Sequence, residues 1–270
     1  MKKIVFLFLS VGMLAACSKN SVTGRKQLKL FGEESLRQMA VTEYKSFLSQ
    51  NQVVSETVNK DAEMVQRVGK RIAAAITQYY TQEGKQDVVK ELETYKWEFN
   101  LVNNKEVNAW CMPGGKIVVY TGLLPMTQNE AALAVVMGHE ISHALAHHGN
   151  ERMSQQMVAQ GIGIAGGVLT SSNQKTASIF NNIYGPTAQL GVLLPNSRKQ
   201  ELEADKYGLI FTAMAGYNPQ EAIGLWQRMA QSGGQKPPEF LSTHPSDETR
   251  IEKLKELMPE ALKYYKPVGK

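Results

Sequence analysis

The chain has 270 residues, 43% of them hydrophobic and 20% charged, with a formal net charge of +5. That length and apolar content suffice for one sizeable core. Basic residues cluster nowhere beyond short runs such as Arg25 to Lys29, so the charge argues for no nucleic-acid partner and supports at most a mild attraction to an anionic membrane surface.

Lys2 and Lys3 followed by the apolar run Ile4 to Leu14 have the form of an export signal, and Leu14-Ala15-Ala16-Cys17 has the form of a bacterial lipobox. The expectation is removal of residues 1–16 and acylation of Cys17, whose several chains would hold the protein stably on membrane lipid. Residues 17–30 then form a lipidated tether, polar from Ser18 to Arg25, and residues 31–265 a single domain in the bacterial cell envelope, facing the periplasm. Ser18, in place of an Asp after the Cys, resembles outer-membrane sorting. With Cys17 acylated, Cys111 is the one thiol left, so no internal disulfide is expected. Cys111 reads as a small apolar strand residue.

Apolar residues at helical spacing predict helices over Glu33 to Ser49 and Thr57 to Tyr80, the second through Val58, Val65, Val68, Ile72, Ile76 and Tyr79. Thr81 to Asp87 is polar, contains Gly84 and reads as a loop. Tyr95 to Val102 alternates as a strand, and Trp110 to Tyr120 reads as a hairpin turning at Pro113-Gly114-Gly115. Helices follow at Asn129 to His148, Ser154 to about Leu169, Ala177 to Leu194, Ser197 to Ala215, Pro219 to Gln231 with Asn218 as cap, and Ser246 to Met258. The fold class is α+β and predominantly helical, with a small sheet beside the helix from Asn129. Gly161 to Gly167 lies in an apolar stretch too short to span a membrane, which takes about 20 apolar residues. It reads equally as a closely packed helix or as a mobile lid or lipid-facing surface.

His139-Glu140-Ile141-Ser142-His143 sits in the apolar run from Ala131 to His148, with Asn129 and Glu130 suited to its start and Gly149 to its stop. Residues four apart project from one helix face about 6 Å apart along the axis. Both imidazoles can therefore grip one tetrahedral zinc ion while Glu140 addresses its water as a base. Burying two histidines and a Glu unpaired would cost several kcal/mol, which weighs against plain core packing.

A catalytic zinc site takes three protein ligands. His147 lies about 12 Å along the axis from His139 and reads as a helix-end cation. Gly149 stands where the metzincin pattern places its third His. There remains a Glu on a second helix: Glu201, with Asp205 one turn on as a hydrogen-bond partner that fixes the tautomer of His139. Glu203 is the alternative ligand, and Glu83 with Asp87 repeats the spacing in the polar stretch.

Asn108 to Gly115, Thr121 to Leu124, Gly138 to His143, Ser197 to Asp205 and Thr243 to Arg250 together resemble, in order and spacing across Val22 to Met258, the gluzincin proteases of peptidase family M48. That family includes CAAX prenyl proteases, HtpX-like membrane proteases, the mitochondrial OMA-type protease and soluble periplasmic relatives; with no membrane-spanning stretch flanking the motif, the OMA-like periplasmic branch is favoured. The resemblance implies a zincin-like core, one zinc ion per chain on His139, His143 and Glu201, polypeptide substrates, and quality control of envelope proteins. It also implies that Lys116 to Tyr120 is an edge strand along which an extended substrate docks. His244 is either a donor to the oxyanion or an inhibitory fourth ligand, and Arg250 ties its loop to an acidic neighbour. A different class of function, a chaperone-like or scaffolding lipoprotein with a latent metal site, would leave Glu140 without a use.

Overall fold

A computed structural model describes residues 17–159, 174–184, 197–232, 240, 244 and 248–267. The expected signal at 1–16 and the glycine-rich segment 161–167 lie outside the described residues, as do the later parts of the helices expected from Ser154 and from Ala177.

The stretch expected as a tether is docked. β1 (Cys17–Lys19) pairs antiparallel with β2 (Lys26–Leu28). Between and within them Asn20 and Gln27 are buried, and their amides donate to the carbonyl of Ala146 at 3.0 and 2.8 Å. Ala146 closes a helix, and its carbonyl is one of those a helix end leaves without an internal partner. Asn20 and Gln27, polar residues in the expected tether, thus serve the helix end, a use that composition alone does not reveal.

α1 (Glu33–Gln50) is followed by α2 (Lys60–Gln82) and α3 (Gln86–Glu93). Asn59 Oδ1 accepts from the backbone N–H groups of Asp61 and Ala62, so α2 begins three residues after Thr57 and leaves Val58 85% exposed. Gly84, at φ +68, ends it, and the chain re-enters a helix at Gln86 within the expected loop.

The sheet contains β3 (Glu98–Val102), β4 (Ala109–Met112) and β5 (Lys116–Tyr120) in the order β3-β5-β4. β5 runs parallel to β3 and antiparallel to β4, and the hairpin turns through Gly114 and Gly115 at φ +82 and +81. Every residue of β5 is buried: Ile117 and Val119 face the core shared with α2, while Val118 and Tyr120 face Tyr44 and Phe47 of α1. A strand paired on both edges has no backbone groups left for a substrate, so the expectation that Lys116 to Tyr120 is an edge is overturned. Of the two edge strands, β3 is met by the preceding chain, where Val54 N–H donates to Leu101 O at 2.8 Å, and β4 pairs on its far side with no strand among the described residues.

Beyond the sheet come α4 (Leu124–Thr127), α5 (Glu130–Leu145), α6 (His148–Ala159), α7 (Gln174–Tyr184), α8 (Ser197–Met214), α9 (Glu221–Gln231) and α10 (Glu248–Leu262). The architecture is α+β and predominantly helical, and no helix among the described residues is long and apolar enough to cross a membrane. Asn129 caps α5 by accepting from Ala132 N–H at 2.8 Å, and every residue from Ala132 to Leu145 is buried. The helix stops at His147, which takes a left-handed φ of +52, rather than at Gly149. Gly149 lies inside α6, where the ring of Tyr184 fills the space a Cβ would need.

His147 accounts for its own unfavourable backbone. Its Nδ1 sits 3.0 Å from Glu33 and its Nε2 3.3 Å from Glu91, tying the end of α5 to α1 and α3. Burial lowers its pKa, but the bonds to Glu33 and Glu91 outweigh burial and raise it from 6.5 to about 9. A group whose folded pKa is raised stabilises fully below its unfolded value and loses that effect as pH passes the folded one. The stability gap between wild type and His147→Gln should therefore be widest below about pH 6.5 and close above about pH 9, measured by urea unfolding.

α5 and α8 meet at Gly138 and Gly208. A Cβ on Gly208 would fall 2.8 Å from His139 N, and one on Gly138 would fall 2.9 Å from Gly208 O. Backbone cannot yield as a flexible side chain does, so Gly208→Ala must push the helices apart, at a cost of about 1–3 kcal/mol. The same movement separates the side chains the two helices present, so zinc affinity should fall with the urea midpoint.

Candidate metal centre

The α5–α8 contact sets the separation of the side chains that the two helices present beside it. His139 and His143 project from α5, Glu201 from the second turn of α8, and His244 joins them, held by its backbone N–H to Phe240 O at 2.8 Å. One ligand atom from each of these four buried residues lies within 4.8 Å of the others. His139 Nε2 is 3.0 Å from His143 Nε2, 3.1 Å from His244 Nδ1 and 3.4 Å from Glu201 Oε2. His143 Nε2 is 3.3 Å from Glu201 Oε1. Bonds of about 2.0–2.1 Å to a tetrahedral ion place ligand atoms about 3.3 Å apart, so the spacing fits zinc. Glu83 and Asp87 take no part in this cluster.

Asp205 stands one turn beyond Glu201, with Oδ1 2.9 Å from His139 Nδ1. A carboxylate only accepts, so Asp205 holds a proton on Nδ1 and leaves Nε2 as the nitrogen that faces the cluster. Arg250 grips Asp205 with a forked pair at 2.7 and 2.9 Å, reaches Glu201 Oε2 at 3.2 Å, and lies 3.5 Å above the Trp226 ring. The acidic neighbours of Arg250 are thus Glu201 of the cluster and Asp205 behind His139.

Glu140 is buried beside His139, and its Oε1 has no aligned hydrogen-bond donor among the described residues although His244 Nε2 is 3.3 Å away. Burial raises its pKa, only partly offset by the charges of His244 and His139. Glu201 goes the other way: burial would raise it, but His244 and His143 hold its carboxyl well below the usual range. His139 is lowered by burial and raised more strongly by Asp205 and Glu201, to about 9 without a metal. Metal uptake must therefore displace a proton.

Two residues stand apart from their readings in the sequence. Glu203, the alternative ligand, points away from the cluster and bonds His148 Nε2 at 2.9 Å and Arg25 at 2.7 Å. Positions two apart on a helix lie on opposite sides, so Glu201 and Glu203 could not both face one ion. His148, unread in the sequence because it falls five residues after His143, is fully buried with Nδ1 2.8 Å from His143 Nδ1. Cys111 behaves as an apolar residue: burial, with the charge of Glu140 adding to it, pushes its thiol well above the ordinary range.

The profile described as Peptidase family M48 matches residues 59–258. Over 176 residues the chain is 38% identical to the mitochondrial metalloendopeptidase OMA1 of Schizosaccharomyces pombe, covering 64% of this chain and 50% of that protein. Over 253 residues it is 30% identical to the human metalloendopeptidase OMA1, covering 90% and 46%. It is also 30% identical over 185 residues to the beta-barrel assembly-enhancing protease of Escherichia coli, covering 65% and 37%. The chain spans half or less of the length of these relatives. The matched region begins at the cap of α2 and runs through both helices that build the cluster, and on that match this chain belongs to peptidase family M48.

Proposed function

We propose that the chain is a zinc-dependent endopeptidase that cleaves unfolded or misassembled polypeptides of the bacterial envelope, held to the membrane by acylated Cys17. Glu140 supports this reading most strongly: a buried carboxylate with a raised pKa, its Oε1 without an aligned hydrogen-bond donor among the described residues, next in sequence to one ligand and 3.3 Å from His244 Nε2. Zinc on His139, His143 and Glu201, when bound, supplies Lewis acidity toward water and the scissile carbonyl. Glu140 takes a proton from the attacking water and returns it to the leaving amine, a task for which a carboxyl pKa closer to neutrality is suited. Asp205 and Arg250 hold His139 in its ligating tautomer. The edge of Ala109–Met112 that pairs with no strand among the described residues offers main-chain groups to an extended substrate with little regard to its side chains.

His244 decides the resting state. Its Nδ1 lies 3.0 Å from Glu201 and 3.1 Å from His139 Nε2, the place of a fourth ligand, and four protein ligands leave a tetrahedral site no room for water. This arrangement favours a self-capped enzyme over an oxyanion donor. If the capped form holds about nine molecules in ten, His244→Ala raises turnover of casein or an unfolded outer-membrane protein by about tenfold. A fall instead would assign His244 to oxyanion stabilisation, and substrate binding without any chelator-sensitive cleavage would favour the scaffolding alternative.

A further inference from the structure

His143 has a buried support on the side facing away from the cluster. Its Nε2 points to His139 and Glu201, while its Nδ1 lies 2.8 Å from Nδ1 of His148. Of two ring nitrogens that close, one donates and the other accepts. For Nε2 to offer a lone pair to a metal, His143 must carry its proton on Nδ1, so His148 Nδ1 accepts. His148 then keeps its own proton on Nε2, where Glu203 Oε2 stands 2.9 Å away to receive it. Only this polarity is compatible with His143 as a ligand.

Glu203 is itself held in place. Arg25, between β1 and β2, reaches its two oxygens at 2.7 and 3.2 Å, and forks onto Glu151 with two bonds of 2.6 Å. Gln200 adds a bond to Glu151 at 2.8 Å. The guanidinium thereby fixes the position of Glu203, whose Oε2 stands as the acceptor for His148 Nε2.

We propose that His148 and Glu203, locked by Arg25 of the N-terminal hairpin, are positioning residues that set the tautomer and orientation of the metal ligand His143. The inference rests on the zinc-site reading above. It makes residues 17–28 part of the metal site, although they lie more than a hundred residues before the ligands in sequence.

The test is zinc affinity of the full chain, by competition with a chromophoric chelator, beside thermal unfolding of the metal-free protein. His148→Ala and Glu203→Ala should weaken zinc binding by about 10–100-fold, with KM of the zinc-saturated enzyme unchanged. Arg25→Ala should weaken it less, because Glu203 still accepts from His148. Glu203→Gln, whose amide oxygen also accepts, should lie between Glu203→Ala and wild type. Should His148→Ala not fold, the partly exposed Glu203 carries the test through its two variants. Zinc affinity within about twofold of wild type in both alanine variants overturns the inference, even if the metal-free protein melts earlier, since that marks a merely structural role. Wild-type protein that binds no zinc would overturn the site reading and this inference with it; wild-type binding with unaffected variants overturns this inference alone.

Discussion

Replacing Glu140 by Gln lowers kcat for an unfolded polypeptide by about 10²–10⁴-fold while zinc stays at one ion per chain, because a general base contributes that much and the side chain is no ligand. Gln keeps the shape and the buried carbonyl oxygen of Glu140 but cannot take a proton. The substitution also removes a buried acidic group that lacks an aligned hydrogen-bond partner among the described residues, so the folded protein should be no less stable. The expected signature is thus specific: full zinc content, an unchanged urea midpoint, KM close to wild type and a collapsed kcat. A Glu140→Gln protein that still cleaves would remove Glu140 from the base role, whatever the metal does.

Glu201→Ala should have the opposite signature. It removes one of three proposed ligands, so zinc affinity should fall by more than the roughly 10–100-fold typical of a lost supporting partner. His244 Nδ1, already beside the two imidazoles, limits the loss by remaining as a third nitrogen. Cleavage should disappear at low zinc and return only partly when zinc is added. Asp205→Ala separates ligand from support: its zinc affinity should lie between Glu201→Ala and wild type, because His139 remains but nothing fixes its proton on Nδ1. Isothermal titration with zinc ranks the three proteins, and a Glu201→Ala protein that binds as tightly as wild type would strike Glu201 from the ligand set.

The helix-borne part of this site was legible because helical geometry is local. His139 and His143 are one turn apart, and Glu201 and Asp205 repeat that spacing on a second helix, although Glu83 and Asp87 share it and only the polar stretch around Gly84 and the wider family pattern favour the later pair. What brings those helices together was not legible. Gly138 and Gly208 act by lacking a side chain, and only the partner helix shows why that matters. The support behind His143 was equally hidden: His148 falls outside the helical period because the chain kinks at His147, and Arg25 comes from a stretch whose polarity suggested a tether.

The sheet teaches a different lesson. Ile117-Val118-Val119-Tyr120 is an unbroken apolar run, and such runs mark strands covered on both faces rather than half-exposed edges, where polar residues alternate. The signal for a central strand was therefore present, and an edge belongs to Ala109–Met112 next door. The start of α2 followed the cap at Asn59 rather than the first apolar residue, Val58, since a side chain that satisfies two free backbone N–H groups defines a helix start better than hydrophobicity does.

The central claim is that one ion joins His139, His143 and Glu201. The most direct measurement is a crystal structure of the zinc-loaded protein with anomalous diffraction recorded at the zinc absorption edge. A single strong peak is expected within about 2.0–2.2 Å of His139 Nε2, His143 Nε2 and a Glu201 oxygen. An ion bound elsewhere, or a Glu201 side chain turned out of bonding reach of that peak, would contradict it.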